Sequence, residues 1–373
     1  MKIGVLTSSR ADYGIYLPLL KKLKVDTLFD LKIIAFGTHL SSFHGETIEQ
    51  IESDGFEVKY KVESMLINDS PEAIATAVGL TTIKFADFWQ KNKTEFDLVF
   101  CLGDRYEMFA AVTASIPFGV TLAHLHGGET TLGAIDNIYR HAITLASKYH
   151  FVSTESYAKR VEQIIEFDSH IYNVGALSLD NLTDMRRLNI DEFKLKWGID
   201  LSIKTILVTF HPETVALDKN EKYANELIDA IEMLLDQYQM LITMPNADTA
   251  GNIIRNVLVK RLSKQNKVFM IENLGSQSYF SAMDHCAFLL GNTSSGIIEA
   301  ASLGKYVINV GDRQKGRKTG QNVIHCEVEA TQILAAVHRI QELPVLYPKD
   351  NIYFKEGAAS RIIDVLKSKL QTI

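Results

Sequence analysis

The stretch GALSLDNLTDMRRLNIDEFKLKWGID, Gly175 to Asp200, carries no strand pattern, and that gap divides the chain. Before it, the short apolar runs KIGVLT, LKIIAF, DLVFCL, GVTLAH and YHFV alternate with helix-like segments. After it, TILVTF, MLITM, KVFMI, AFLLG and YVINV do the same. Runs that are apolar throughout and bounded by Gly, Asp or His are strands covered on both faces, as in parallel sheets flanked by helices. The expected fold class is therefore α/β: two doubly wound, Rossmann-like domains facing a cleft, residues 1–175 and 176–355. In open sheets of this kind ligands lie beyond the carboxyl ends of the strands, so the residues just after each strand carry the functional information.

The bulk properties agree. At 373 residues, 46% hydrophobic and 23% charged, the chain has a globular composition and more length than one core comfortably holds. A formal net charge of -6 argues against a general nucleic-acid binder. Cys101, Cys286 and Cys326 are odd in number and sit in apolar surroundings, which predicts reduced thiols of a cytoplasmic protein, without a disulfide framework or zinc. Met1 leads directly into IGVL and polar SSR, so no signal peptide is expected, and no apolar run approaches the ~20 residues that span a bilayer. Ser70-Pro71-Glu72 reads as a helix start, and Tyr223, Leu227, Ile231 and Leu234 repeat on one helical face.

The strand ends hold the chemistry. The first strand runs into SSRADYG, which is not the GxGxxG of a dinucleotide fold. Arg10 there is either a surface arginine or a phosphate ligand beside a helix start. DLVFCL leads into GDRYE with Asp104, either a helix cap or an acid at the site. GVTLAH leads into HLHGGET; His124 and His126 would share one face of an extended segment, but no third metal ligand follows at suitable spacing. Asp136 and Arg140, four apart on the next helix, make an ordinary ion pair or an acid and a cation side by side at the cleft. In the second half His211 follows a strand in HPET. Thr293, Ser294 and Ser295 form a hydroxyl-rich turn able to approach a phosphate, and Glu299 is placed to accept the hydroxyls of a ribose or to lie on a helix surface. GDRQKGRKTG, Gly311 to Gly320, gathers Arg313, Lys315, Arg317 and Lys318 behind YVINV. It nearly matches a P-loop, but Arg317-Lys318 stands where Lys-Ser/Thr is required, so an ATPase is excluded. Taken together, arginines after the first and last of these strands, a serine turn and collected acids and histidines suit a site that holds a diphosphate and acts on the group attached to it.

The set SRADYG, GTHL, LGDRYE, HLHGGE, DNIYRH, FHPET, NADTAG, GNTSSGIIEAASLG and GDRQKGR closely resembles the hydrolysing UDP-N-acetylglucosamine 2-epimerases of sialic acid synthesis, in that family's order from Arg10 to Arg317. The resemblance implies the two-domain GT-B fold, with a last helix in residues 356–373 crossing back onto the first domain. It implies catalytic positions at Asp104, Asp136, Arg140 and His211, water delivery by His126 and Glu129, and UDP contacts from Arg10, His211, Thr293, Ser294, Ser295, Glu299 and Arg313. His126 stands where many members carry Glu; some bacterial members share the histidine. No metal and no cofactor are implied. The partners implied are UDP-GlcNAc and UDP, with neither nucleic acid nor membrane, in a homo-oligomer (dimer or tetramer). Three rivals remain at this level: the same reaction on UDP-2,4-diacetamido-2,4,6-trideoxyglucose for legionaminic acid, a GT-B glycosyltransferase, and a non-catalytic UDP-sugar sensor. A sensor would have no need of Asp104 and Asp136.

Overall fold

The computed structural model describes residues 1–41, 47–66, 68, 70–245, 251–346 and 351–370. Asn246 to Ala250 of the NADTAG motif and the last three positions of the 356–373 segment lie outside the described residues. The chain divides into two compact units. The first holds Met1–Glu129, Asp136–Thr183 and Tyr353–Ile373; the second holds Thr130–Ile135 and Asp184–Ile352.

The first unit is a parallel sheet of β1 (Lys2–Thr7), β2 (Asp30–Phe36), β3 (Val58–Val62), β4 (Leu98–Leu102), β5 (Leu122–Leu125), β6 (Tyr149–Val152) and β7 (Ile171–Asn173). Its strand order is β3-β2-β1-β4-β5-β6-β7. The second unit is a parallel sheet of β8 (Thr205–Thr209), β9 (Gln239–Thr243), β10 (Val268–Ile271), β11 (Phe288–Gly291), β12 (Val307–Val310) and β13 (Val323–Cys326), in the order β10-β9-β8-β11-β12-β13. Each order reverses once, between β1 and β4 and between β8 and β11. In doubly wound sheets that reversal opens a crevice for ligands.

Central strands such as β4 and β8 are buried at every position, which is why they read as unbroken apolar runs. The strands without such a run are β3, β7 and β13, and all three lie at sheet edges. An edge strand is half solvated, so β3 (VKYKV) alternates lysine with apolar residues and β7 is only half-buried. The expected helix start is present: Ser70 accepts from the Ala73 N–H and caps Pro71–Asn92. Leu227, Ile231 and Leu234 are buried along Asn220–Leu234.

The stretch that interrupts the strands folds as two helices, Ser178–Asp184 and Ile190–Trp197. Asn189 and Glu192 close the second with a capping box, and Gly198 ends it in the left-handed region. In the first unit the Asp180 carboxylate accepts from the Ala358 and Ala359 N–H groups at 3.0 and 2.7 Å. It thereby caps the helix Ala358–Leu370, which buries Ile362 and Leu366 in the same core as Tyr16, Leu19 and Leu23. Cys101 and Cys286 are buried and Cys326 half-buried; loss of solvent pushes each thiol up to about 12. Among the described residues no helix is long and apolar enough to cross a membrane.

Candidate active site

In the first unit, Ser9 caps the helix Arg10–Val25, and the Asp12 carboxylate reaches back to the Ser8 N–H (2.9 Å) and hydroxyl (2.6 Å). This reciprocal capping places half-buried Arg10 in the first helical turn, directly beyond β1 and beside the reversal of the sheet. On the other side of the reversal β4 is followed by Gly103, whose φ is +72°, and then Asp104. Arg140, 3% exposed, projects from the helix Asp136–Ala146. One guanidinium nitrogen donates to the Asp104 carboxylate; the other donates to the Glu129 carbonyl at 3.0 Å. A buried cation needs such partners, since an unpaired one is expensive to desolvate. Asp136 opens the helix that carries Arg140.

Glu129 is 1% exposed, and its carboxylate serves two neighbours. Its Oε1 lies 2.8 Å from His126 Nδ1 and accepts from the Ser153 hydroxyl at 3.0 Å. With the carboxylate on Nδ1, Nε2 is the ring nitrogen left for chemistry. His126 has φ of +63°, a left-handed conformation uncommon outside glycine. That twist ends the alternation of β5, and His124 and His126 take different partners. His124 is fully buried between the Thr144 hydroxyl (3.1 Å) and the Gly103 carbonyl (2.9 Å), and burial lowers it to about 3. Among the described residues no group of three or more His, Cys, Asp or Glu could hold a metal ion.

In the second unit the reversal between β8 and β11 is drawn very tight. A Cβ on Gly291 would lie 2.0 Å from the Thr209 carbonyl oxygen, and Gly291 has φ of +136°. Asn292 follows, fully buried. Its side chain accepts from the His211 N–H at 2.7 Å and donates to the His211 carbonyl at 2.9 Å. Its own carbonyl accepts from Arg313 Nη1 at 3.3 Å and Gln314 Nε2 at 2.9 Å. Glu213, 4% exposed, accepts from the Asp312 N–H at 2.6 Å; burial pushes its carboxyl up, and Gly311 (φ +80°) makes room for it. The segment Thr130–Ile135 seats on the same loop. The Leu132 N–H donates to the Lys315 carbonyl and the Ile135 N–H to the Thr214 hydroxyl, each at 2.9 Å.

Thr293, Ser294 and Ser295 are half-buried and lead into the five-residue helix Ser294–Ile298. The Ser295 hydroxyl is 2.6 Å from the Tyr279 hydroxyl and 3.3 Å from that of Thr293. Glu299, a candidate ribose ligand, is 6% exposed and so is not a helix-surface acid. Of the basic loop, Lys315 and Lys318 are exposed while Arg313 and Arg317 are half-buried. Lys315 pairs with exposed Asp312 at 3.0 Å.

The structure therefore links Asp104, His126, Glu129 and Arg140 in one unit, and His211 with Arg313 through Asn292 in the other. Sequence reading missed Ser153, Glu213, Asn292 and Gln314. All of these left a signal, because each stands within a few residues of a strand's carboxyl end.

The sequence model of the UDP-N-acetylglucosamine 2-epimerase family matches residues 21–367. The polysialic acid biosynthesis protein P7 of Escherichia coli is 36% identical, over 99% of this chain and 95% of its own. The hydrolysing UDP-N,N'-diacetylbacillosamine 2-epimerase of Legionella pneumophila is 33% identical, over 98% of this chain and 96% of its own. Among solved structures, the UDP-GlcNAc 2-epimerase from Neisseria meningitidis bound to UDP-GlcNAc superposes with a TM-score of 0.81 at 17% identity, covering 99% of this chain and all of that one. That likeness is one of fold, and it assigns the two doubly wound units to the GT-B type. Because the family match runs through nearly the whole length of the sequence, this chain belongs to the UDP-N-acetylglucosamine 2-epimerase family.

Proposed function

We propose that the protein is a hydrolysing UDP-N-acetylglucosamine 2-epimerase that converts UDP-GlcNAc and water to N-acetylmannosamine and UDP. The observation that carries the reading is the linked set in the first unit, where buried Arg140 joins Asp104 to Glu129 and Glu129 holds His126. Such a set supplies two kinds of group, a carboxylate for proton transfer and a carboxylate–imidazole pair for handling water.

The C2 proton of the sugar is not acidic in the ground state. Stretching the C1–O bond puts charge on the departing diphosphate and makes C1 oxocarbenium-like, which acidifies C2–H. Arg10, His211 and Arg313 would stabilise that charge as it develops, where binding lowers a barrier. Thr293, Ser294, Ser295 and Glu299 would hold the rest of the nucleotide. One carboxylate, Asp104 or Asp136, takes the C2 proton, the C1–C2 double bond forms and UDP leaves, giving 2-acetamidoglucal. His126, oriented by Glu129, then takes a proton from water as hydroxide adds to C1, and the other carboxylate returns a proton to the opposite face of C2. The net change is redox-neutral, so the reaction calls for no redox cofactor. A cytoplasmic homo-oligomer, dimer or tetramer, belongs to the same proposal.

A second reading is the same chemistry on UDP-2,4-diacetamido-2,4,6-trideoxyglucose. The Legionella pneumophila relative favours it, since its name specifies a diacetylated substrate. Proton NMR in deuterated water separates the readings. The proposed reaction yields free N-acetylmannosamine bearing deuterium at C2, together with UDP. A product still attached to UDP would remove hydrolysis, and retention of the original C2 proton would remove elimination. Turnover of the diacetamido sugar alone would establish the second reading.

A further inference from the structure

We propose that Asn292 is a positioning residue for the reaction, holding His211 and Arg313 in one fixed relation where the strand order of the second sheet reverses. The inference rests on the functional reading above, which sets both residues against the diphosphate. Asn292 is fully buried, and every polar group of its side chain and carbonyl is accounted for. Its amide exchanges two hydrogen bonds with the backbone of His211, one donated and one accepted. Aspartate can offer only the acceptor, and alanine or leucine neither. Its carbonyl meanwhile receives Arg313 and Gln314, and Gln314 is only 1% exposed.

The bond network cannot slacken outward. Gly291 presses against β8 closely enough that the Asn292 N–H donates to Thr209 at 3.0 Å, and no side chain at 291 would fit. Glu213 fastens the other end of the same short segment to Asp312. The segment His211–Glu213 and the loop Asp312–Gln314 are thus bolted together twice, once by Asn292 and once by Glu213. A rigid frame of this sort removes the cost of ordering the cation and the imidazole during catalysis.

The test uses the full chain with Asn292→Ala, Asn292→Asp, His211→Ala and the double variant Asn292→Ala/His211→Ala. UDP binding is read by calorimetry, kcat and KM with UDP-GlcNAc, and amide hydrogen exchange over residues 210–214 and 312–315. Asn292→Ala should weaken UDP about tenfold and lower kcat roughly a hundredfold, with faster exchange confined to those two segments. Asn292→Asp should recover part of both losses. The kcat losses of Asn292→Ala and His211→Ala should fall short of multiplying by about tenfold. Multiplying losses, or unchanged exchange in both segments, would overturn the proposal. So would faster exchange with normal UDP binding and turnover. If the alanine variant fails to fold, the aspartate variant carries the same measurements. Wild-type protein that neither bound UDP nor turned over UDP-GlcNAc would end the functional reading. Exchange would then decide alone whether Asn292 holds the two segments.

Discussion

Arg140 is bonded on one side to the Asp104 carboxylate and on the other to the carbonyl of Glu129, so one buried cation ties Asp104 to the residue whose carboxylate holds His126. The planar guanidinium makes this double contact possible, because its donors point in fixed, divergent directions. Arg140→Lys retains the charge but not the fork. It should lose turnover nearly as fully as Arg140→Ala, and steady-state kinetics of the two variants will show it.

Replacing either acid proposed for proton transfer should stop chemistry and spare binding. Asp104→Asn and Asp136→Asn are expected to lower kcat by about 10² to 10⁴ while UDP affinity stays within about threefold. Near wild-type kcat in one variant would remove that residue from the mechanism.

The His126–Glu129 pair makes a different prediction, since the proposed mechanism uses it only after the C1–O bond has broken. Glu129→Gln leaves the leaving-group contacts alone but removes the carboxylate that holds His126 Nδ1 at 2.8 Å. The variant should release 2-acetamidoglucal with UDP and little N-acetylmannosamine, seen as a vinylic proton by NMR. Release of N-acetylmannosamine at the wild-type ratio would dissociate the pair from water addition.

In the basic loop one arginine should dominate. Arg313→Ala is expected to weaken UDP roughly ten- to a hundredfold, the effect of losing a charged hydrogen bond. Lys315 and Lys318 are exposed, and the Lys315–Asp312 pair is solvated on both sides, so alanine at either lysine should change affinity little. Equal small losses at all the basic positions, measured by calorimetry, would mean diffuse surface charge.

Buried histidines should make the first unit acid-sensitive. His39 and His124 are fully buried, and burial lowers them from 6.5 to about 4 and about 3. The unfolded chain binds these protons as pH drops below 6.5 while the native protein does not, so stability is complete above that value and is lost as pH falls towards the native values. Each group should contribute a slope of about 1.4 kcal/mol per pH unit within its window. Urea unfolding between pH 7 and 4 should show it, and His124→Gln should flatten the curve.

The apolar runs, the helix caps at Ser70 and the face built on Leu227, Ile231 and Leu234 were all legible because each depends on residues near one another in the chain. A strand covered on both faces must be apolar at every position, and this requirement is written into short stretches such as LVFCL and TILVT. Edge strands escape it. The lysines of β3 face water without cost, and a run of three residues such as β7 carries too little pattern to distinguish from a loop.

The sequence by itself determined the two parallel α/β sheets, the break between them and the strand ends at which polar residues collect. The tertiary structure alone decided which of those residues meet. A spacing of four offers Asp136 to Arg140, yet nothing local offers Asp104, which lies 36 positions away and is brought to Arg140 by the order of the strands. Asn292 and His211 are 81 positions apart, and Glu213 and Asp312 are 99 apart. Partners at such separations are chosen by sheet topology and by close approaches such as Gly291 against Thr209, where one missing side chain lets two strand ends touch. Burial depends on everything packed around a group, and for that reason the contacts of Asn292 and Glu213 emerge only in the folded protein.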